Sequence, residues 1–139
     1  MQIRPYLIFK GQCSEAIELY SRAFNTRVSE MMRFADLPAD PSGPIPEALK
    51  NRVLMATLPL GDNFIRLSDT MGGLNEAVSD RMSVSVECSC DEVRRAFGVL
   101  SEGGTVSHPL QATFYSPCFG NLHDKFGVFW NLVGQADEG

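Results

Sequence analysis

The 139-residue chain has only 2 histidines and 1 tryptophan, and its 12 Lys and Arg are outnumbered by 17 Asp and Glu, for a net charge of -5. With few cations and none in a block, nothing tracks a phosphate backbone, so nucleic acid is not an expected partner. No apolar run approaches the ~20 residues of a membrane span, and no membrane is expected either. The opening, MQIRPYLIF, lacks the n-region, h-region and small-residue cut site of a secretory signal. Four cysteines, Cys13, Cys88, Cys90 and Cys118, make no evident disulfide framework, and a chain this long builds a core without staples. A cytoplasmic protein is therefore expected. Cys88 and Cys90 fall short of a zinc site, which wants four ligands with a second pair elsewhere. The simpler reading ends a strand at Cys88 and opens a helix at Cys90.

What is present is the composition of one globular domain, 44% hydrophobic and 21% charged. Ile3 to Phe9 reads as a strand, broken at Gly11-Gln12. Cys13, Ala16, Ile17, Tyr20 and Phe24 then recur at helical spacing, and Asn25 tolerates the left-handed stop conformation. Thr26 to Phe34 reads as a strand. Residues 35–50 hold Pro38, Pro41, Pro44 and Pro46, a loop with room for one helical turn near Glu47. Val53 to Leu58 and Phe64 to Ser68 form a hairpin around Leu60-Gly61-Asp62-Asn63, and a second loop runs from Asp69 to Ser79.

The pattern then restarts. Met82, Val84 and Val86 alternate with Arg81, Ser83, Ser85 and Glu87, as in a half-buried strand. Ser89 and Glu92 have the offset of a capping box, ahead of the stripe Val93, Ala96, Phe97 and Leu100. Gly103-Gly104 ends that helix. Thr105 to Gln111 is a strand whose Pro109 suggests an edge or a bend. Phe114 to Leu122 is a weaker strand, Asp124 to Gly127 a turn, and Val128 to Val133 the last strand, with a frayed tail from Gly134. The order is β-α-β-β-β twice, which predicts an α+β fold of two βαβββ modules with cupped mixed sheets. The modules cover about residues 1–70 and 80–134 of a single domain.

This duplication resembles the vicinal oxygen chelate superfamily, which includes glyoxalase I, bleomycin- and fosfomycin-resistance proteins and extradiol dioxygenases. The resemblance is closest to its PhnB-like branch. It is carried by PYLIFKGQCSEAIELYSRAF at 5–24, IRLSDT at 65–70 and FGNLHDKFGVFWNLV at 119–133. Names in that branch carry a methyltransferase label, yet no G-x-G-x-x-G follows a strand here to hold a nucleotide-type cofactor. The resemblance implies a homodimer. It also implies four positions from which relatives hold a divalent metal on the concave sheet face, occupied here by Pro5, Arg66, Arg81 and Asn131. Proline has no donor atom there, and arginine stays protonated with no acceptor. No metal or other cofactor is therefore expected.

Strand parity gives a separate reading. Ile65 and Leu67 are apolar, so Arg66 and Ser68 turn the other way, as do Arg81, Ser83 and Ser85 opposite Met82, Val84 and Val86. Val128, Trp130 and Leu132 share one face, Phe129, Asn131 and Val133 the other. The expected cavity is lined by Arg66, Ser68, Arg81, Ser83, Ser85 and Asn131, rich in donors and suited to a carboxylate, phosphate or phosphonate. The competing reading pairs each arginine with an internal carboxylate such as Asp69 or Glu87.

Other candidates have structural alternatives. His123-Asp124 has the look of a base with its orienting carboxylate, or of a strand end and a turn holder. Cys13 opens a helix, which favours a reactive thiol, but it is also in phase with the core stripe. His108 reads as edge or loop, Trp130 as core, and Cys118 as lying near the cavity mouth; Asp69 and Met71 begin the loop after the hairpin. Three function classes remain. The first is a metal-independent small-molecule binding protein with a polar, anion-accepting cavity. The alternative is a metal-dependent lyase, isomerase or dioxygenase using non-standard ligands. The third is a protein whose dimer surface matters while its cavity is vestigial.

Overall fold

The structure, a computed structural model, describes residues 1–38, 43–70, 72–76 and 80–136. Pro41, Met71, Ser79 and the end of the tail lie outside the described residues. The elements run β1 (Tyr6–Phe9), α1 (Cys13–Phe24), β2 (Glu30–Arg33), β3 (Val53–Leu60), β4 (Asn63–Asp69), then β5 (Val84–Ser89), α2 (Cys90–Leu100), β6 (Thr105–Gln111), β7 (Cys118–His123) and β8 (Phe129–Gln135). Single 3-10 turns occupy Phe34–Asp36 and Glu47–Leu49. This is the βαβββ unit twice, as the periodicity predicts.

Each repeat makes a four-stranded mixed sheet, in the orders β1-β4-β3-β2 and β5-β8-β7-β6. In each, the first strand pairs parallel with the last, and the remaining pairs are antiparallel. The helix makes the crossover that a parallel pair requires. The chain groups into two compact units, residues 1–21 with 26–76, and residues 22–25 with 77–139. The last turn of α1 thus belongs with the second unit.

In the first unit the buried stripe of α1 is Cys13, Ala16, Leu19 and Tyr20, with Ile17 only half-buried. The Tyr20 ring lies 6.5 Å from Phe9, and Val53, Ala56, Leu58, Ile65 and Leu67 complete the apolar side of the sheet. Asn25 takes φ 50°, the left-handed stop expected of it. In the second unit Val93, Ala96 and Leu100 of α2 cover Leu122, Trp130 and Leu132. Phe24 tilts against the Trp130 indole at 5.3 Å. Ser89 caps α2 as predicted: its Oγ accepts from the Glu92 N–H at 3.2 Å, and the Glu92 carboxylate accepts from the Ser89 N–H at 3.3 Å.

Several boundaries differ from those expected. β1 starts at Tyr6 rather than Ile3, and β2 covers only Glu30–Arg33. β5 starts at Val84, where pairing with Trp130 of β8 begins, so Met82 is 81% exposed instead of facing the helix. β7 starts at Cys118 because a Thr113–Ser116 turn, closed by the Thr113 N–H on the Ser116 carbonyl at 2.8 Å, takes the preceding residues out of the sheet. β8 continues to Gln135, since Gly134 pairs with both Cys88 and Cys118. Pro109 sits in β6, an edge strand with register shifts on both sides of His108, as its missing N–H demands.

Candidate functional site

The non-helical face of the first sheet is organised in rungs of side-by-side residues. One rung is Tyr6, Arg66, Thr57 and Glu30 across β1, β4, β3 and β2. Ser68, two residues on from Arg66, pairs with Ile8 of β1. Ile65 and Leu67 are buried on the opposite face, as parity requires. Arg66 therefore faces away from the helix, and its guanidinium lies 5.4 Å from the Phe64 ring. The Arg4 guanidinium lies 4.5 Å from the same ring. One aromatic ring thus gathers two cations in a protein of net charge -5.

The resemblance, by spacing to the first helix and its Tyr20, assigns Pro5 to the first family position. Pro5 instead precedes β1, and its carbonyl accepts the Arg66 N–H at 3.0 Å. Parallel pairing then sets Tyr6, not Pro5, beside Arg66. Counting residues back from a helix cannot determine this half-step, because it depends on which carbonyl the partner strand chooses.

The matching face of the second sheet has the rung Ser85, Asn131, Asn121 and His108 across β5, β8, β7 and β6. Asn131 Nδ2 donates to Ser85 Oγ at 3.3 Å. The next rung is Glu87, Val133, Phe119 and Gln111. The His108 ring meets Phe119 edge-on at 5.1 Å, Tyr115 meets Phe119 at 5.5 Å, and Gln111 Nε2 lies 3.3 Å from His108 Nε2. Arg81 and Ser83 are exposed and precede β5.

Of the six predicted residues, Arg66 and Ser68 therefore share one sheet face, and Ser85 and Asn131 touch on the other. Asn121, His108, Gln111 and Phe119 are not among the six residues expected at the site. Counting register outward from the Asp124–Val128 turn would have found Asn121, which stands opposite Asn131. The bulged pairing of β6 hides the rest.

Of the two carboxylates named as arginine partners, Asp69 has other work. Asp69 is buried; its Oδ1 accepts from the N–H of Gly11 (2.8 Å) and Cys13 (3.0 Å), and its Oδ2 from Val53 N–H (3.0 Å). It thereby closes the start of α1 with the end of β4. Asp124 is also buried: Oδ1 accepts from the N–H of Phe126 (2.9 Å) and Val128 (3.1 Å), and Oδ2 from the Trp130 indole N–H (2.9 Å). That is the turn-holding reading. His123 stacks on Phe129 at 4.4 Å, and its Nε2 comes within 2.8 Å of Asp80 Oδ1 without hydrogen-bond alignment. Cys13 belongs to the core: burial first, then the Asp69 carboxylate, push its thiol up to about 12.

At the positions that the resemblance assigns to metal ligands stand Arg66, beside Tyr6, and Asn131, beside Ser85; Glu30 and His108 lie at the far ends of the same rungs. The guanidinium has no lone pair to offer and repels a dication. Among the described residues, no group of three or more His, Cys, Asp or Glu is disposed to hold a metal ion.

A family model described as 3-demethylubiquinone-9 3-methyltransferase matches residues 1–133. The protein PA1353 from Pseudomonas aeruginosa is 33% identical and superposes with a TM-score of 0.82, covering 99% of each chain. A putative 3-demethylubiquinone-9 3-methyltransferase, PhnB protein, from Bacillus cereus is 28% identical with a TM-score of 0.77, covering 97% of this chain and 100% of the other. The fosfomycin resistance protein FosX from Listeria monocytogenes, at 10% identity and a TM-score of 0.66, shares the fold over 99% of this chain and 94% of its own. These likenesses bear out the α+β glyoxalase/bleomycin resistance fold with its two modules.

Proposed function

The chain belongs to the 3-demethylubiquinone-9 3-methyltransferase family, on the PhnB-like branch of the vicinal oxygen chelate superfamily, and from that membership we propose that it binds a small anionic molecule without a metal. The residues proposed to hold it are Arg66 and Ser68 on the face of the first sheet; within the second unit, taken by itself, Ser85 and Asn131 offer donors on the face of its own sheet, with Arg81 and Ser83 ahead of β5. The observation that carries this reading is Arg66, standing beside Tyr6 and turned away from the helix. A guanidinium there offers a planar fork of donors to a carboxylate, phosphate or phosphonate. Arg4, drawn to the same Phe64 ring, adds a second positive charge. FosX was crystallised with Mn(II) and 1S,2S-dihydroxypropylphosphonic acid; in the present chain the arginine itself takes the role of the cation.

Methyl transfer, the activity in the family's description, is not part of this proposal. The β1–α1 turn, Lys10-Gly11-Gln12, has a single glycine. The helix start behind it is already filled by the Asp69 carboxylate, which competes with any phosphate for the same N–H groups. The protein works as a homodimer in the cytoplasm. The exposed Met82 and Phe114 favour a partner surface, and four free cysteines favour a reducing compartment. Among the described residues no helix is long and apolar enough to cross a membrane.

A thermal-shift panel of small carboxylates, phosphates and phosphonates tests the reading. Ligand at a hundredfold over its Kd adds about 2.7 kcal/mol of stability, so a true ligand raises the wild-type melting temperature. Arg66→Gln abolishes that rise while leaving the ligand-free midpoint in place. A panel with no active anion, or a rise that survives Arg66→Gln, refutes it.

A further inference from the structure

Three of the four cysteines converge at one glycine of the second sheet. Gly134 on β8 pairs with Cys88 on one side and with Cys118 on the other. A Cβ at Gly134 would lie 2.7 Å from Cys90 Sγ and 3.0 Å from Cys118 Cβ. The missing side chain is therefore the gap in which the Cys90 sulfur, from the first residue of α2, reaches toward Cys118 at the start of β7. The Cys118 thiol is pushed up by burial and then by Cys90, to which it is hydrogen-bonded; Arg94 pulls the other way.

Accessibility divides the pair into two roles. Cys118 is 4% exposed, whereas Cys90 is half-buried and lines a surface hollow of about 320 Å³ with Arg94 and Pro117. A small oxidant entering that hollow meets Cys90 first, with the Arg94 side chain also in the wall. Cys88 cannot substitute for Cys90 as the partner of Cys118. The two lie on either side of β8, two strand spacings or about 9–10 Å apart, beyond the Cα separation a disulfide spans.

We propose that Cys90 and Cys118 are a peroxide-responsive dithiol that closes into an intramolecular disulfide across Gly134. The Cys90 sulfur attacks one oxygen of a hydroperoxide and the O–O bond breaks. For hydrogen peroxide the departing hydroxide takes the thiol proton and leaves as water, giving the Cys90 sulfenic acid. The Cys118 sulfur then attacks the Cys90 sulfur. The S–O bond breaks, the S–S bond forms, and a second water leaves with the Cys118 proton. Two thiols are oxidised by two electrons and the peroxide is reduced to two waters. The bond ties the start of α2 to β7.

The test is hydrogen peroxide added in small molar excess to the reduced full-length protein. Free thiols are counted after denaturation, and non-reduced peptides are mapped by mass spectrometry. The thiol count is expected to fall from 4 by two, with a Cys90–Cys118 linked peptide that dithiothreitol reverses. Cys88→Ser retains the link and Cys90→Ser abolishes it. Cys118→Ala leaves a Cys90 sulfenic acid that dimedone traps. An unchanged thiol count, a link through Cys88 or Cys13, or links between molecules only would overturn the proposal. The wild-type peptide map decides even if a variant fails to fold.

Discussion

Tyr6 and Arg66 stand side by side on the parallel strands β1 and β4, locked by the Arg66 N–H on the Pro5 carbonyl at 3.0 Å. That one register choice fixes what the first sheet presents. It sets a phenol next to a guanidinium, the pairing on which the proposed anion site rests.

Asp69 is the bond hub of the first unit, accepting three backbone N–H groups while almost fully buried. Asp69→Ala strands those donors and costs about 2–4 kcal/mol. Urea denaturation will register this as a lower midpoint with the slope unchanged. A variant as stable as the wild type would show that the helix start does not depend on this carboxylate.

Asp124 plays the corresponding part in the second unit, where it joins the β7–β8 turn to Trp130. Asp124→Ala is expected to destabilise by about 2–3 kcal/mol. Trp130 is the sole tryptophan, so its fluorescence follows the unfolding directly. If the midpoint holds, the turn is closed by its backbone bonds alone.

Cys13 supplies a pH dependence. Burial, with the Asp69 charge behind it, raises the folded thiol from its ordinary 9.0 to about 12. Between those values the unfolded chain has lost the proton and the folded chain retains it, so stability falls as pH rises from about 9 toward 12. Below pH 9 this group contributes no slope. Cys13→Ala should flatten the wild-type decline over that window, as followed by urea midpoints at stepped pH. Identical slopes in the two proteins would contradict the assignment. The same burial predicts that iodoacetamide spares Cys13 in the folded protein at pH 8.

Gly134 makes a steric prediction independent of the redox chemistry. A Cβ there meets the Cys118 carbonyl at 2.8 Å as well as the Cys90 sulfur. The carbonyl belongs to the β7–β8 ladder and cannot swing away, so Gly134→Ala is expected to cost more than the ~1–3 kcal/mol typical of overpacking. Thermal unfolding beside Gly72→Ala, where a Cβ meets nothing within 4 Å, provides the comparison.

The helices were the most legible part of the sequence. Their stripes, the Ser89–Glu92 capping box and the Asn25 stop are local, and each depends on residues three or four apart. Parity also placed Arg66 and Asn131 on the faces where they stand, because one register step would have buried them. What was not legible depends on partners distant in the sequence. Met82 reads as the first inward residue of a strand, but β8 offers no partner before Val84. Phe114 reads as strand and is fully exposed, because Ser116 Oγ turns back to the Gly134 carbonyl at 2.6 Å. His108 and Asn121 join the face of Asn131 through a bulged edge strand, which no periodicity encodes.

The most direct measurement is a calorimetric titration of the anion that stabilises the protein in the thermal-shift panel, run once in EDTA and once with added Mn(II), for wild type and Arg66→Gln. The same Kd is expected for wild type in both buffers, with a loss of at least tenfold in affinity, about 1.4 kcal/mol, on replacing Arg66. Binding that appears only with Mn(II), or an affinity indifferent to Arg66, would contradict the proposed site.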